Sequence, residues 1–145
     1  MRLHPLHPVS VHAPLACIAL TPLADLGAAL THRAEFWTVG AALSAAAPLF
    51  GLIAASFGAL DFERAYAKAP KTVSWHAVLM VLAVTLSAVS GFGRFDGGLA
   101  VLTPPGVWAI AAGVAALIVA GAGGALGGEL VYRHGVNVEP SPKSN

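Results

Sequence analysis

Hydrophobic residues occur along this chain in four long runs, each separated from the next by a short polar or glycine-rich stretch. The runs cover approximately residues 11–30, 36–60, 75–92 and 105–134. An α-helix needs about 20 predominantly apolar residues to cross the hydrocarbon core of a bilayer, and the runs are of that order or longer. The pattern therefore predicts an all-α protein, a four-helix transmembrane bundle.

The composition agrees with this interpretation. Of the 145 residues, 57% are hydrophobic and only 10% are charged, whereas a soluble domain carries about 25% charged residues. The net charge of +1 and the lack of a basic run argue against nucleic acid as a partner. Cys17 is the only cysteine, so the chain cannot form an internal disulfide bond.

A single domain, residues 1–135, contains all four runs, and residues 136–145 are predicted to form a flexible C-terminal tail. Four crossings place both termini on one side of the membrane. An excess of lysine and arginine marks the cytoplasmic side. On the side of the termini lie Arg2, Arg64, Lys68, Lys71, Arg133 and Lys143, against Arg33 and Arg94 on the other. We therefore expect a multi-pass protein of the cytoplasmic (inner) membrane with both termini in the cytoplasm.

Six polar or ionisable residues fall at helix ends that this topology brings to one membrane face. They are His12, Asp61, His76, Glu129, Tyr132 and His134. An ionisable group at membrane depth is costly unless it is paired or used, so such groups are functional candidates. For each histidine taken alone, a hydrogen bond at a helix end is the simpler explanation. The convergence of three histidines favours a shared site.

The first hypothesis is a haem b site. Haem iron takes axial imidazole ligands, and histidines on different helices of a bundle can hold it from both sides. His12 and His76 are the expected pair because they lie at a similar depth, and His134 is the third candidate. Small residues along the second run leave room for a flat macrocycle. On this hypothesis the protein passes electrons to a quinone or to an attached redox partner.

Two other hypotheses stay open. One is a Zn, Fe or Cu site, since imidazole and carboxylate suit these metals. Its ligands would come from His12, His76, His134 and Asp61, with His7 and Glu129 in reserve. The other is a non-catalytic subunit or scaffold without a cofactor, whose histidines and acids only fix helix ends. No nucleophile–base pair is recognisable, so no enzymatic activity is predicted, and a homo-oligomer is as compatible with the sequence as a monomer.

Asp25 and Arg94 are expected near the opposite membrane face. Asp25 lies inside the first run, and Arg94 lies where the third run ends. Charges within a membrane protein usually pair with one another, so a buried salt bridge is favoured over a role in proton relay. The two pairs of runs are similar in size, but few residues match between them, and the sequence alone does not predict a repeat.

Two segments of the chain carry a resemblance to a known family. Residues 7–14 contain His-Pro and Val-His-Ala-Pro, and residues 124–136 read Gly-Ala-Leu-Gly-Gly-Glu-Leu-Val-Tyr-Arg-His-Gly-Val. With Asp25, Pro48, Gly51, Gly58, Asp61 and His76 between them, the chain resembles the bacterial membrane-protein family called domain of unknown function 2231.

The resemblance implies four membrane helices. Relatives joined to Rieske-type iron–sulfur domains also imply a connection with electron transfer. His12, His76 and His134 match the family pattern, whereas Ala13 departs from the bulky residue expected beside His12.

Overall fold

The computed structural model describes residues 6–95 and 104–138, and all regular structure in these ranges is helical. The elements are α1 (Leu6–Ser10), α2 (His12–Thr31), α3 (Glu35–Lys68), α4 (Pro70–Phe92) and α5 (Val107–Tyr132). Helix α1 runs into α2 as one apolar stretch, so the described residues contain four helices long and apolar enough to cross a membrane. The all-α, four-helix prediction is confirmed. The predicted flexible tail lies largely outside the described residues.

The bundle has small residues inside and bulky apolar residues outside. Ala47 and Ala83 are completely buried, whereas Leu49 and Leu52 are each about two-thirds exposed. Small residues allow helices to approach closely. In lipid, where the hydrophobic effect does not drive helices together, the van der Waals contacts of such close packing hold them instead. The outward-facing leucine, isoleucine, valine and phenylalanine side chains suit contact with acyl chains. This distribution of side chains is that of a membrane protein.

The charged segment 61–74 separates the second and third hydrophobic runs, and this pattern predicts a loop there. The segment is instead helical except at Ala69. Helix α3 extends to Lys68, the chain reverses at Ala69 (φ −149°, ψ 70°), and α4 begins at Pro70. Residues 61–68 contain neither glycine nor proline, and proline suits the first turn of a helix. The charged residues indicated that this segment is in contact with water. A helix that extends beyond the bilayer makes that contact as well as a loop does. At 34 residues, α3 is about 51 Å long, against a hydrocarbon core of about 30 Å.

Helix α5 ends at Tyr132, two residues before the predicted end. Gly135 then adopts a left-handed conformation (φ 59°), which glycine tolerates without strain. The turn brings the N–H of Val136 within 2.9 Å of the carbonyl oxygen of Leu130, and Val136 packs into a small cluster with Ala65, Ala69, Val73 and Leu130. The end of α5 is thereby fixed against the junction of α3 and α4.

The helices form two antiparallel hairpins, α2–α3 and α4–α5, packed side by side. The starts of α2 and α4 and the ends of α3 and α5 share one end of the bundle, which we call the histidine end. Contacts across it include Asn137 donating to Asp61 and Lys68 donating to the carbonyl of Gly135. The opposite end, which we call the ion-pair end, contains Asp25 and Arg94.

At the ion-pair end, Arg94 follows the last turn of α4 and reaches Asp25 of α2. Both terminal nitrogens donate to the carboxylate at 2.7 Å, and Nε donates to the Ser90 hydroxyl at 3.2 Å. The side chains of Arg94 and Asp25 are 0% and 7% exposed, so the predicted buried salt bridge is present. Gly40 makes room for it, since a Cβ there would lie 2.9 Å from Nη1. Removal of one member of such a pair leaves an uncompensated charge, at a cost of about 3–5 kcal/mol.

The close approach of α3 and α4 generates a prediction. Gly91→Ala is expected to destabilise the bundle by about 1–3 kcal/mol, because overpacking against atoms that cannot yield carries such a cost. The new Cβ would lie 3.2 Å from the backbone oxygen of Ser44. The matched control is Gly121→Ala, whose Cβ meets no atom within 4 Å. Thermal unfolding in detergent, followed by circular dichroism, measures the difference; equal melting of both variants would contradict the observed packing.

Candidate functional site

His7, which the sequence offered only as a reserve metal ligand, lies closer to His76 than the predicted partner His12 would suggest. It lies in α1, which begins at Leu6 rather than at the predicted Val11, and its ring is partly buried against α3. The ring Nδ1 lies 2.9 Å from the carbonyl oxygen of Ala54. One helical turn further along, Gly58 leaves the space that the ring fills, since a Cβ there would lie 3.0 Å from a ring carbon.

His76 is held in the same manner by α5. Its Nδ1 lies 2.8 Å from the carbonyl oxygen of Gly123. The ring rests on Gly127, where a Cβ would approach the imidazole to 3.1 Å. Each imidazole is therefore held by a backbone carbonyl of a neighbouring helix. It also rests on a glycine four residues after the residue that supplies this carbonyl.

The imidazole rings of His7 and His76 are in edge-to-face contact. Their centroids are 6.3 Å apart, and their planes are inclined at 82°. A carbonyl oxygen only accepts hydrogen bonds, so Nδ1 of each ring must carry the proton. In the neutral imidazole, Nε2 is then an unprotonated nitrogen with a free lone pair. Metal-ligating histidines are typically arranged in this way, with the second ring nitrogen donating to a carbonyl or carboxylate.

The predicted partner of His76 lies elsewhere. His12 is exposed, and its Nδ1 contacts the carbonyl of Val9 in the preceding turn at 3.1 Å. The ring that contacts His76 is that of His7, one and a half helical turns before His12. The structure thus supports a histidine pair at the predicted end of the bundle, with a different first member.

The other members of the predicted polar cluster lie in separate surroundings. His134 lies 3.5 Å from Glu129, which also accepts from Arg133 at 3.2 Å. Asp61 accepts from Asn137 at 3.1 Å. Tyr132 is 92% exposed.

Within residues 6–95 and 104–138, no group of three or more histidine, cysteine, aspartate or glutamate side chains is arranged to hold a metal ion. The predicted set of His12, His76, His134 and Asp61 is therefore not brought together there. The reason is rotational position: four helix ends can share one depth while their side chains point to different faces.

His7 was predicted only as a reserve metal ligand, because the first helix was expected to begin at Val11. Proline is in fact well tolerated in the first turn of a helix, so Pro8 is compatible with a helix that starts at Leu6. The useful signal was the apolar pair Leu6 and Val9, which continues the first hydrophobic run toward the N-terminus.

The comparisons with known proteins agree with the architecture. No curated protein and no solved structure matches the chain. A family model described as a predicted membrane protein, DUF2231, matches residues 3–140. The sequence resemblance is thus confirmed over nearly the whole chain, which belongs to the DUF2231 family of membrane proteins.

Proposed function

We propose that this protein binds haem b between His7 and His76 and serves as a one-electron carrier in the membrane. The observation that supports the proposal is the pair of neighbouring imidazoles whose Nδ1 atoms are both anchored to backbone carbonyls. Such anchoring fixes the ring orientation and raises the basicity of Nε2, the nitrogen that would bind iron.

The number of ligands favours haem over a bare metal ion. A structural zinc site uses four protein ligands and a catalytic site three, whereas the described residues bring only two histidines together. Haem iron is already held by the porphyrin and takes its remaining ligands from the protein at the axial positions.

The two rings also lie close enough to each other to hold one iron between them. Their centroids are 6.3 Å apart, and a metal–imidazole bond is about 2 Å long. Exposed cations at the same end would be available to the propionates: Arg64 and Lys71 directly, and Lys68 and Arg133 on leaving Gly135 and Glu129.

When bound, haem would supply a reversible one-electron couple. The protein would contribute the two ligands, their orientation and a low-dielectric surrounding, all of which influence the reduction potential. Its electron donor or acceptor would be a quinone in the bilayer or an associated redox partner, in line with the electron-transfer connection that the family resemblance implied.

A second candidate has an observation of its own. The bonds from His7 to Ala54 and from His76 to Gly123 tie α1 to α3 and α4 to α5 without any ligand. The histidines could then be purely structural, in a scaffold or subunit of a larger membrane complex. A Zn, Fe or Cu ion bound without a porphyrin stands third.

Visible spectra distinguish the candidates. The detergent-purified protein, expressed with adequate haem supply, is expected to show a Soret band that His7→Ala and His76→Ala each abolish. His12→Ala is the matched control and should keep the band, because the His12 ring is exposed and contacts only its own segment. Loss of the band in His12→Ala but not in His7→Ala would restore the pair expected from the sequence.

Colourless protein would reject the haem proposal. Elemental analysis then separates the remaining candidates: stoichiometric Zn, Fe or Cu that His7→Ala and His76→Ala both remove would favour the metal site. Metal-free protein whose melting temperature falls in both variants would favour the scaffold.

The two glycines that receive the rings are expected to position the ligands. Gly58→Val and Gly127→Val should each displace an imidazole, since a Cβ at these positions already approaches the rings to 3.0 and 3.1 Å. We expect a several-fold lower ratio of Soret to protein absorbance in both. Gly124→Val, which meets no atom within 4 Å, is the control. Equal haem content in all three variants would contradict the positioning role.

We further propose that both termini face the cytoplasm, in the inner membrane. The excess of lysine and arginine at the histidine end supports this orientation. Helix α1 and the residues that follow α5 both lie at that end, so the two termini are on the same side. A C-terminal fluorescent protein is expected to be active and a C-terminal alkaline phosphatase inactive in a bacterial host. The opposite result would place the histidine end on the far side.

A further inference from the structure

The buried ion pair and the partly buried histidine pair share one property, the sequence separation of their two members. Asp25 and Arg94 are separated by 69 residues, and the same shift leads from His7 to His76. The pairs lie at opposite ends of the bundle, so the coincidence cannot arise from a single local contact.

The hydrogen bonds that fix the two histidines follow the same shift. His7 bonds Ala54, and His76 bonds Gly123, each 47 residues further along the chain. The glycines beneath the rings, Gly58 and Gly127, also correspond. Equivalent donors thus contact equivalent acceptors in the two hairpins.

The buried positions of α3 and α5 correspond in this register as well. In α3 they include Gly40, Ser44, Ala47, Gly51 and Ala54. Their counterparts at the same shift are Ala109, Gly113, Ala116, Ala120 and Gly123, all buried in α5. Helical spacing alone would match buried positions at several shifts, but the hydrogen bonds select this one.

A direct contact between a residue and its own counterpart has a geometric meaning. A two-fold rotation exchanges the two positions, so the contact must lie on the rotation axis. The histidine pair and the ion pair mark two points on that axis, which therefore runs along the bundle from one end to the other. Both hairpins start at the histidine end, as in the parallel repeats of some transporters.

We infer that residues 6–68 form a first repeat, that residues 75–95 and 104–137 form a second, and that the two pack through a two-fold symmetric interface. Because the first repeat brings Asp25 to this interface and the second brings Arg94, the interface forms only between unlike repeats. Two first repeats would bury Asp25 against Asp25, and two second repeats would bury Arg94 against Arg94. Either arrangement leaves like charges together without compensation, which is an effective way to reject a wrong partner. The partner that each repeat fits is the complementary repeat of the same chain.

Because the two repeats are equivalent in this arrangement, the aspartate and the arginine should be able to exchange positions. In the exchanged variant Asp25→Arg/Arg94→Asp, the arginine would reach across the axis from α2 instead of from the segment that follows α4. Its surroundings would differ in one known respect. Gly40 makes room for Arg94, whereas the counterpart of Gly40 is Ala109. Adding Ala109→Gly to the exchange would supply the missing space.

The test uses the full-length chain purified in mild detergent, with folded yield by size-exclusion chromatography and melting temperature as readouts. Asp25→Arg and Arg94→Asp alone are expected to lower the folded yield several-fold. The double exchange should recover part of the loss, and the exchange with Ala109→Gly should recover more. Arg33→Glu, in an exposed pair with side chains 65% and 69% exposed, is the control and should change neither readout.

Recovery in the double or the triple variant supports the symmetric interface. Failure of both to exceed the better single variant would overturn it, because the two positions would then not be equivalent. Single reversals as harmless as Arg33→Glu would overturn the role of the ion pair in partner choice.

Discussion

In hydrocarbon no water is available to satisfy a polar group, so every such group must find its partner within the protein. The described residues obey this constraint, since none of their buried side-chain nitrogen or oxygen atoms lacks a hydrogen-bond partner. Arg94 is satisfied by Asp25 and Ser90, and His7 and His76 by backbone carbonyls of neighbouring helices. These hydrogen bonds connect neighbouring helices. Apolar contacts between alanine and glycine alone would define the arrangement of the helices less specifically. The same requirement that stabilises the bundle thus also fixes the orientation of the two imidazoles.

The small interior residues make these polar contacts possible. Gly40 admits the guanidinium of Arg94, and Gly58 and Gly127 admit the imidazole rings. At each of these places a methyl group would occupy the space that a polar side chain uses. Glycine in a helix carries a conformational cost of about 1 kcal/mol relative to alanine. In this bundle that cost is offset by close packing and by hydrogen bonds between helices.

Much of the fold could be predicted from the sequence, because long apolar runs report directly on membrane crossings. The pairing of Asp25 with Arg94 was also predictable, since two opposite charges at one depth have few alternatives. The pairing of His7 with His76 was not, because depth follows from position along a helix whereas facing depends on rotation about its axis. The helical state of residues 61–68 was missed for another reason: charge indicates water, and water is compatible with either a helix or a loop. The inferred repeat was not predicted, because the two pairs of runs are similar in size but share few residues.

The junction at Ala69 limits what can enter between the two hairpins. With one non-helical residue between α3 and α4, the hairpins are joined by a single short hinge whose reach is a few ångströms. At the histidine end, a guest that forces the hairpins far apart would have to unwind one of the joined helices. A thin, planar guest demands only a slight widening. The shortness of this connection therefore restricts how far α3 and α4 can separate at the histidine end.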